Sequence, residues 1–405
     1  MSMLWTIAAF ELRKRSRMLS TYVYFAVFFA LGLVTMLAAG GAFAGVTVGL
    51  GAEKVNANVS LGLFSLLTVL SLLSLLVSAA VYGQAVHQDF EHQMHGLLFT
   101  APMPRSTYLG GRFLGATLVM ALRLSGLGLG IWLGSKMPFL ERSSFGPNLL
   151  GNYLRLYAFA VLPNLLFTGA VFFTLGALTR KMTSVYTASV VLVMGYLIAG
   201  SFLGRMENRA LAGWIDPFGL SAVRLLTRYW TVSEQNSRAV TLSGVLLHNR
   251  LLWMGVGVCF LVFTFARFRF LHTLEPRERR SAAKDSAIPV SVRRPVVPTL
   301  LRPQGLGWAT VVVGLAWLHF RETVKSISFL VIVLAGVLFM VTAAVQSRGA
   351  YGTPTYPVTY SVLEIVGGTF GLFVLVLLTL YAGEIVWRER DARMSGLVDA
   401  LPLPT

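Results

Sequence analysis

The sequence is poor in charged residues and nearly lacks cysteine. Charged residues make up 13% of its 405 positions, whereas hydrophobic residues make up 55% and the mean hydropathy is +0.69. Soluble domains carry about 25% charged residues, so this composition excludes a soluble globule, a disordered chain and a nucleic-acid module. Cys259 is the single cysteine. A lone thiol cannot form an internal disulfide, so cysteine usage does not indicate a redox compartment.

Three short catalytic motifs are also missing. The chain has no Gly-x-x-x-x-Gly-Lys-Ser/Thr segment, so no P-loop can hold the phosphates of ATP. It has neither a Gly-x-Ser-x-Gly elbow nor the His-Glu-x-x-His signature of zinc peptidases. We therefore expect this chain not to be an enzyme and to bind no cofactor. Any ATP-driven work needs a second polypeptide.

Eight apolar runs are long enough to cross about 30 Å of hydrocarbon. Such spans must be helices, because an open strand edge in lipid would leave backbone groups without partners. The sequence therefore predicts an all-α polytopic membrane protein, a helical bundle made of one six-helix unit and the first two helices of a second unit. The predicted spans are residues 22–43, 60–82, 110–134, 156–178, 184–204, 251–266, 327–345 and 362–384.

Basic residues lie at both ends of the block formed by the first six predicted spans, before span one and after span six. They include Arg13, Lys14, Arg15 and Arg17 before span one, and Arg267, Arg269, Arg277 and Arg279 after span six. Positive charge concentrates on the cytoplasmic side, and an even number of spans returns the chain to the side where it began. We therefore expect a cytoplasmic N-terminus. The loop 205–250 is rich in arginine, although this orientation places it on the external side of the membrane. Part of the loop is predicted to lie on the membrane surface.

That loop contains an amphipathic stretch that begins at Asp216-Pro217, an N-cap followed by the proline that a first helical turn tolerates. Apolar residues then recur every three or four positions from Phe218 to Tyr229, which is typical of a helix lying in the membrane interface. The alternative is an external loop helix that packs on the bundle without a function of its own.

An internal repeat relates the two units. A shift of 300 positions aligns Gly83 with Gly383, and it aligns a further glycine, two prolines and a methionine downstream. The repeat predicts residues 1–270 as the first unit, 271–304 as a basic cytosolic linker that contacts anionic lipid headgroups, and 305–405 as the start of a second unit. Because the second copy stops opposite Arg105, we expect the natural protein to be longer.

The duplicated cytosolic segment follows the second span of each copy. In the first copy it contains Asp89, Phe90 and Glu91, and in the second copy it contains Glu389 and Asp391. A polar helix that continues a membrane span on the cytoplasmic side, twice in one chain, suits docking of a soluble partner. The alternative is a solvated helix end with no partner.

The same segment places His87, Glu91 and His95 on one helical face, where they resemble a metal-ligand set. The second copy has Trp387 and Ser395 in place of the two histidines. We therefore predict no metal site.

Arg123 is the candidate pathway or gating residue, because it stands deep inside the third span. A lipid-exposed arginine there costs from about 3 to more than 10 kcal/mol, so Arg123 must face protein or a polar cavity. It is either a residue of the substrate pathway or a structural arginine bonded to its surroundings. Gly126, Gly130 and Gly134 follow at intervals of four and predict close approach of another helix.

These features resemble the permease of a type-2 ABC exporter. The basic N-terminal stretch around Phe10–Arg13 is similar to the elbow helix of that family, and the segment after span two is similar to its coupling helix. Several stretches resemble, more narrowly, bacterial permease chains fused to a downstream zinc aminopeptidase domain. These stretches are Asp89–His92, Leu109–Gly115, Asp216–Leu220, Leu226–Val232, Tyr351–Pro357 and Gly383–Arg390.

The resemblance implies a membrane component of the bacterial plasma (inner) membrane, with ATP-binding-cassette ATPase subunits bound in trans at the coupling helices. It implies an ATPase-coupling role for Asp89, Phe90, Glu91, Glu389 and Asp391. Membrane lipids and an unidentified transported substrate are the other expected partners, and nucleic acid is not expected. The alternative is a non-transporting anchor that holds a fused periplasmic zinc aminopeptidase at the membrane.

Overall fold

The computed structural model describes most of the chain and divides it into two compact units. The units are Met1–Phe270 and Leu271–Thr405. The described residues are 3–43, 55–92, 94–100, 103–138, 140, 145–203, 208–268, 308–346, 349–350, 353–354 and 359–391. The predicted linker 271–304 lies outside them.

The first unit is a bundle of helices, which confirms the all-α prediction. Its described α-helices are α1 (Met3–Ser16), α2 (Leu19–Ala39), α3 (Ser60–Leu73), α4 (Leu75–Glu91), α5 (His95–Thr100), α6 (Arg105–Gly134), α7 (Leu150–Leu156), α8 (Leu162–Thr179), α9 (Met182–Leu203), α10 (Arg209–Ile215), α11 (Leu220–Leu226), α12 (Val232–Ser237) and α13 (Gly244–Arg267). A π-helical turn, Tyr157–Val161, joins α7 to α8.

Two sets of helix–helix contacts build the bundle. The long helix α6 packs along α1 and α2, while α8 packs between α4 and α13. The predicted glycine face of α6 lies against α2. A Cβ atom on Gly126 would approach the carbonyl oxygen of Phe25 to 2.5 Å, and one on Gly130 would meet Phe29 more closely still. The prediction of close helix approach at these glycines is confirmed.

The chain is a multi-pass membrane protein by the length and composition of its helices. Five described helices are long and apolar enough to cross a membrane, and the number reaches seven if each of two bent helix pairs forms one span. The first six predicted spans fall on α2, α3 with α4, α6, α7 with α8, α9 and α13. The seventh falls on a helix of the second unit that belongs to a bent pair.

The second predicted span falls on a bent pair of helices, and the sequence did not indicate the bend. Helices α3 and α4 meet at Ser74 with a bend of 57°. The hydroxyl of Ser71 donates to the carbonyl oxygen of Thr68 at 2.7 Å, and that of Ser74 donates to the carbonyl oxygen of Ser71 at 2.6 Å. Serine hydroxyls that bind nearby carbonyls compete with the helical ladder and favour a bend.

The loop between α9 and α13 folds back as a short hairpin of α10 and α11. Asp216 was predicted as the N-cap of the second helix, but it lies at the C-terminal end of α10, and its carboxylate accepts from the backbone N–H groups of Phe218, Gly219 and Ser221 in the turn between the two helices. The helix itself begins only at Leu220, because Gly219 takes a left-handed conformation with φ of 75°. Such a backbone suits glycine and ends the turn that precedes the helix.

The second unit repeats the order of the first elements. Its described elements are α14 (Trp308–Lys325), α15 (Ile327–Gln346), strands β1 (Gly349–Ala350) and β2 (Thr353–Pro354), and α16 (Thr359–Asp391). Helix α15 packs against α16, where Phe373 contacts Phe339 with ring centroids 6.0 Å apart. The eighth predicted span lies within α16, whose described apolar stretch is Phe373–Glu384. Asp391, the last described residue of α16, is the repeat partner of Glu91, which ends α4.

Candidate functional site

A buried ion cluster joins the N-terminal helix to the second and third spans. Arg112 of α6 lies at its centre: Nη1 donates to Glu11 of α1, and Nη2 donates to Asp89 of α4, each over 2.6 Å. The three residues are at most 6% exposed. Two carboxylates thus share one guanidinium, and three helices that are distant in sequence meet at one point.

Two further residues surround this cluster. Tyr108 of α6 donates from its hydroxyl to Asp89 over 2.6 Å. Arg15 of α1 donates from Nε to Glu11, and its Nη1 donates to the backbone carbonyl oxygen of Val81 over 3.1 Å. Arg15 and Tyr108 are also buried, at 5% and 2% exposure. The N-terminal helix is therefore fastened to α4 by side chain and by backbone.

The balance of charge keeps Glu11 ionised. Burial raises the pKa of Glu11, but the positive charges of Arg15 and Arg112 lower it by more, so the net pKa lies below its ordinary value of 4.5. Two carboxylates, those of Glu11 and Asp89, face two guanidinium groups, those of Arg15 and Arg112. Mutual compensation of this kind is what makes burial of four charges tolerable.

The structure separates the three candidate coupling residues of the first copy. Asp89 is buried in the ion cluster and is 6% exposed. Phe90 is half-buried, and only Glu91 is exposed. His92 and Met94, which follow Glu91, are exposed as well. The surface that a partner can touch at this helix end therefore consists of Glu91 and the turn after it.

Phe90 lies where several helix ends meet. The Arg180 guanidinium stands 4.3 Å from the centroid of its ring, a cation–π contact. On another side Phe90 meets Phe268 with centroids 6.5 Å apart, and Phe268 in turn stacks on Tyr108 at 6.2 Å. The ends of α4 and α6, the loop between α8 and α9, and the residue after α13 are thus packed together around Phe90.

The candidate residues of the second copy lie on α16. Glu389 and Asp391 are part of this helix, but their side chains lie outside the described residues.

Arg123, the candidate pathway or gating residue, is 4% exposed and faces α2. Its Nη2 donates to the hydroxyl of Thr21 over 3.0 Å, and its guanidinium stands 5.0 Å from the ring centroid of Tyr24. Its Nε has no hydrogen-bond partner. The side chain thus faces protein, as the sequence predicts, and its described contacts join two helices of the same unit.

The burial of a further arginine, Arg250, was not found from the sequence. The apolar pattern predicts Arg250 as the last residue of the loop 205–250, just before the sixth span. Helix α13 instead begins at Gly244, and Arg250 is 3% exposed inside the bundle. Its Nη1 donates to Oδ1 of Asn164 over 2.7 Å. The expectation was wrong because the polar first turns of α13, 244–249, were assigned to the loop.

The neighbouring Asn249 holds the α10–α11 hairpin onto α13. Its side-chain amide nitrogen donates to the carbonyl oxygens of Gly213 and Asp216 over 2.8 and 2.7 Å. Trp253 adds a hydrogen bond of 3.0 Å from its indole nitrogen to the carbonyl oxygen of Trp214. The hairpin is therefore hydrogen-bonded to α13, which contains the sixth predicted span.

The sequence places His87, Glu91 and His95 in a pattern that resembles a metal-ligand set. Within the described part of the chain, no group of three or more histidine, cysteine, aspartate or glutamate residues has a geometry that could hold a metal ion. His87 Nδ1 is buried without a hydrogen-bond partner. The side chain of His95 lies outside the described residues.

No protein-family model, no curated protein and no solved structure matches this chain.

Proposed function

We propose that this chain is the membrane-spanning component of an ATP-binding-cassette exporter that works with ATPase subunits in trans. The observation that carries the proposal is the ion cluster at Arg112. It fixes the cytosolic end of the second span to α1 through Glu11 and to α6 directly, while Glu91 remains exposed just beyond it. A displacement applied at Glu91 is therefore passed to three helices together.

Energetics favour transmission of force over simple anchoring. Burial of several charges is costly, and removal of one partner from a buried ion pair costs about 3–5 kcal/mol. A bundle that only holds another domain at the membrane is served equally well by apolar packing of the same helices. A cluster that specifies one relative position of α1, α4 and α6 is useful when these helices must move as one body.

The proposal assigns different roles to the candidate coupling residues. Glu91, with the exposed turn that contains His92 and Met94, is the surface for the ATPase. Asp89 and Phe90 position that surface from inside, through Arg112 and through Arg180 respectively. The repeat assigns Asp391 to the corresponding contact surface of the second unit. The protein belongs in the bacterial plasma membrane with its N-terminus in the cytoplasm, because the basic residues of 13–17 precede the first span.

The test is co-purification of the tagged full chain with an ATP-binding-cassette subunit encoded beside it, followed by measurement of ATPase per permease. Glu91→Lys reverses the exposed charge and is expected to reduce the bound ATPase at least about tenfold, since a like charge at a contact costs more than about 1.4 kcal/mol. Membrane insertion and the thermal midpoint of the chain are expected to stay unchanged.

The matched control is Glu234→Lys. It makes the same charge change on α12, in the loop predicted to face the other side of the membrane, and it is expected to leave ATPase binding intact. Equal loss in both variants would mean that net charge, not the contact surface, controls association. If the unaltered chain binds no ATPase at all, the exporter proposal fails and the alternative, an anchor for a fused periplasmic aminopeptidase, takes its place.

A further inference from the structure

At the end of the first unit away from Glu91, three connecting segments are hydrogen-bonded to one another. They are residues 55–59, which precede α3, residues 145–149, which precede α7, and residues 232–243, which contain α12 and precede α13. Each segment leads from one predicted span to the next. Hydrogen bonds between them therefore link all three pairs of predicted spans at one end of the bundle.

Asn58 makes the central contact of this end. Its side-chain Nδ2 donates to the carbonyl oxygen of Gly146 over 2.8 Å, and its Oδ1 accepts from the backbone N–H of Gly146 over 2.7 Å. Asn58 is 5% exposed. One amide side chain thus satisfies both backbone polar groups of Gly146, as a neighbouring strand would.

The segment that contains Asn58 is also bonded to the third connection. The backbone N–H of Asn56 donates to Oδ1 of Asn236 over 2.9 Å, and the Ser60 hydroxyl accepts from the backbone N–H of Val240 over 2.8 Å. These hydrogen bonds join neutral groups, whereas buried ion pairs hold the other end of the bundle. A neutral hydrogen bond contributes modestly to stability, and a buried ion pair is costly to break. The end at Asn58 is therefore the easier one to open.

Helix α6 connects the two ends. Near its beginning it carries Arg112 of the ion cluster, and Ser135 follows its last residue. Nδ2 of Asn148 donates to the Ser135 hydroxyl over 2.5 Å. Because Asn148 lies two positions after Gly146, the segment that binds Asn58 is fastened to the C-terminal end of α6.

A small tilt of α6 is enough to break the contact at Asn58. The helix has 30 residues, or about 45 Å of length. Rotation by about 5° around its middle displaces its end by about 2 Å. A hydrogen bond stretched by that amount is lost. The bend at Ser74 lets α3 keep its position while α4 follows α6.

We propose that the contact between Asn58 and Gly146 is the outer gate of the first unit, closed in this structure and opened by a tilt of α6. The inference rests on the proposed exporter function, because it assigns the opening to the displacement that an ATPase applies at Glu91. A chain that only anchors another domain has no use for this movement, and its contact would stay closed.

The experiment measures how fast a buried cysteine beside Asn58 reacts with a water-soluble maleimide. Val59→Cys supplies the reporter at a position that is 6% exposed, and Cys259→Ser removes the native thiol. Opening of the gate exposes the reporter. Asn58→Ala removes both hydrogen bonds and is expected to raise the labelling rate of the purified full chain about tenfold. An unchanged rate would overturn the proposal.

Two controls separate the gate from general loosening. Asn152→Ala makes the same replacement on α7, where Asn152 accepts from Arg155 of the same helix, and it is expected to leave the labelling rate unchanged. Ala170→Cys places a second reporter in the buried part of α8, which only unfolding exposes. Equal acceleration at both reporters in the Asn58→Ala chain would mean that Asn58 stabilises the whole fold, and the gate would be refuted.

Hydrogen exchange decides the question if Asn58→Ala does not fold. The closed gate occupies the backbone N–H of Gly146, so this amide in the unaltered chain is expected to exchange at least about tenfold more slowly than in an unstructured peptide. Exchange at the unprotected rate would show that the contact is not held closed and would overturn the proposal.

The movement itself is tested in the complex with the ATPase. Addition of ATP is expected to raise labelling at the Val59→Cys reporter about tenfold, the shift that Asn58→Ala produces. Asn148→Leu detaches residues 145–149 from Ser135 and is expected to abolish the response to ATP. If the ATPase binds and hydrolyses ATP while the labelling rate stays constant, the gate proposal fails and the exporter proposal stands.

A variant without any ATPase covers the opposite case. If no ATPase binds, the exporter proposal fails, and Arg112→Met combined with Asp89→Asn releases α6 from α4 directly. This variant is expected to accelerate labelling at the Val59→Cys reporter and not at the Ala170→Cys reporter. No acceleration would show that α6 does not control the contact at Asn58 and would overturn the gate as well.

Discussion

Nη2 of Arg112 donates to both oxygens of the Asp89 carboxylate, each over 2.6 Å. The two residues stand 23 positions apart, on α6 and α4. Their contact fixes the direction in which the second span leaves the membrane. It also means that Asp89, although placed in a cytosolic motif by sequence, acts inside the bundle.

Replacement of Arg112 by methionine should strongly destabilise the first unit. Glu11 and Asp89 would then remain buried without their shared cation, at a cost of about 3–5 kcal/mol. Equilibrium unfolding in mixed detergent micelles measures this change. Adding Asp89→Asn to the same variant should recover part of the loss, because Glu11 keeps Arg15 as its partner and no unpaired carboxylate remains. Failure of the double variant to recover would show that shape, not charge, dominates the cluster.

Acid should weaken the fold through Glu11. Because its folded-state pKa lies below the ordinary value of 4.5, the ionised carboxylate contributes stability above the unfolded-state pKa, and this contribution is lost as pH falls through the folded-state pKa. The thermal midpoint of the unaltered chain is expected to drop between about pH 5 and about pH 3. Glu11→Gln should start lower at neutral pH and show a shallower drop. Glu91→Gln, at an exposed acid, serves as the control; parallel curves for all three would contradict the assignment.

Gly130 and Gly128 offer a matched pair of alanine substitutions on one helix. A Cβ atom at Gly130 would overlap the carbonyl oxygen of Phe29, whereas one at Gly128 would meet only Tyr157 at 3.9 Å. Gly130→Ala is expected to cost about 1–3 kcal/mol through separation of α2 from α6. Gly128→Ala should be neutral or slightly stabilising, because alanine favours helix. Unfolding in mixed micelles distinguishes the two, and equal effects would argue against close packing.

Arg123 should be coupled to Tyr24 in stability. The cation–π distance of 5.0 Å in a buried setting is worth up to about 2 kcal/mol. A double-mutant cycle with Arg123→Met and Tyr24→Leu is expected to give a coupling energy of about 1–2 kcal/mol. A cycle that closes to zero would remove the structural interpretation and leave a pathway or gating role for Arg123.

Much of the fold follows from the apolar pattern. Run length locates the first six spans, and glycines at intervals of four identify the face of α6 that meets α2. The bend at Ser74 escaped prediction because residues 60–82 read as one continuous apolar run, and hydroxyl-to-carbonyl hydrogen bonds within a helix leave no periodic signal. Arg250 was misplaced for a related reason: its helix begins with residues polar enough to read as loop.

Only one segment of the candidate site was predicted from the sequence. The cytosolic segment with Asp89 and Glu91 was identified from its repeat, but the sequence did not distinguish the buried carboxylate from the exposed one. Glu11 and Arg112 entered the sequence analysis only as parts of two stretches that resemble an exporter permease, Phe10–Arg13 and Leu109–Gly115. Their meeting is a tertiary contact across 101 positions, which spacing within one helix cannot reveal. The one available signal was the presence of charges of opposite sign near three span ends.

The bend at Ser74 sets how far the end of α4 that carries Glu91 can travel. Helix α4 has 17 residues, or about 25 Å of length. Pivoting by about 10° at Ser74 would carry Glu91 sideways by about 4 Å while α3 stays in place. An unbroken helix would have to swing its outer end in the opposite direction to achieve the same excursion. The bend at Ser74 thus lets α4 follow a tilt of α6, to which Asp89 is bonded, while α3 keeps its position.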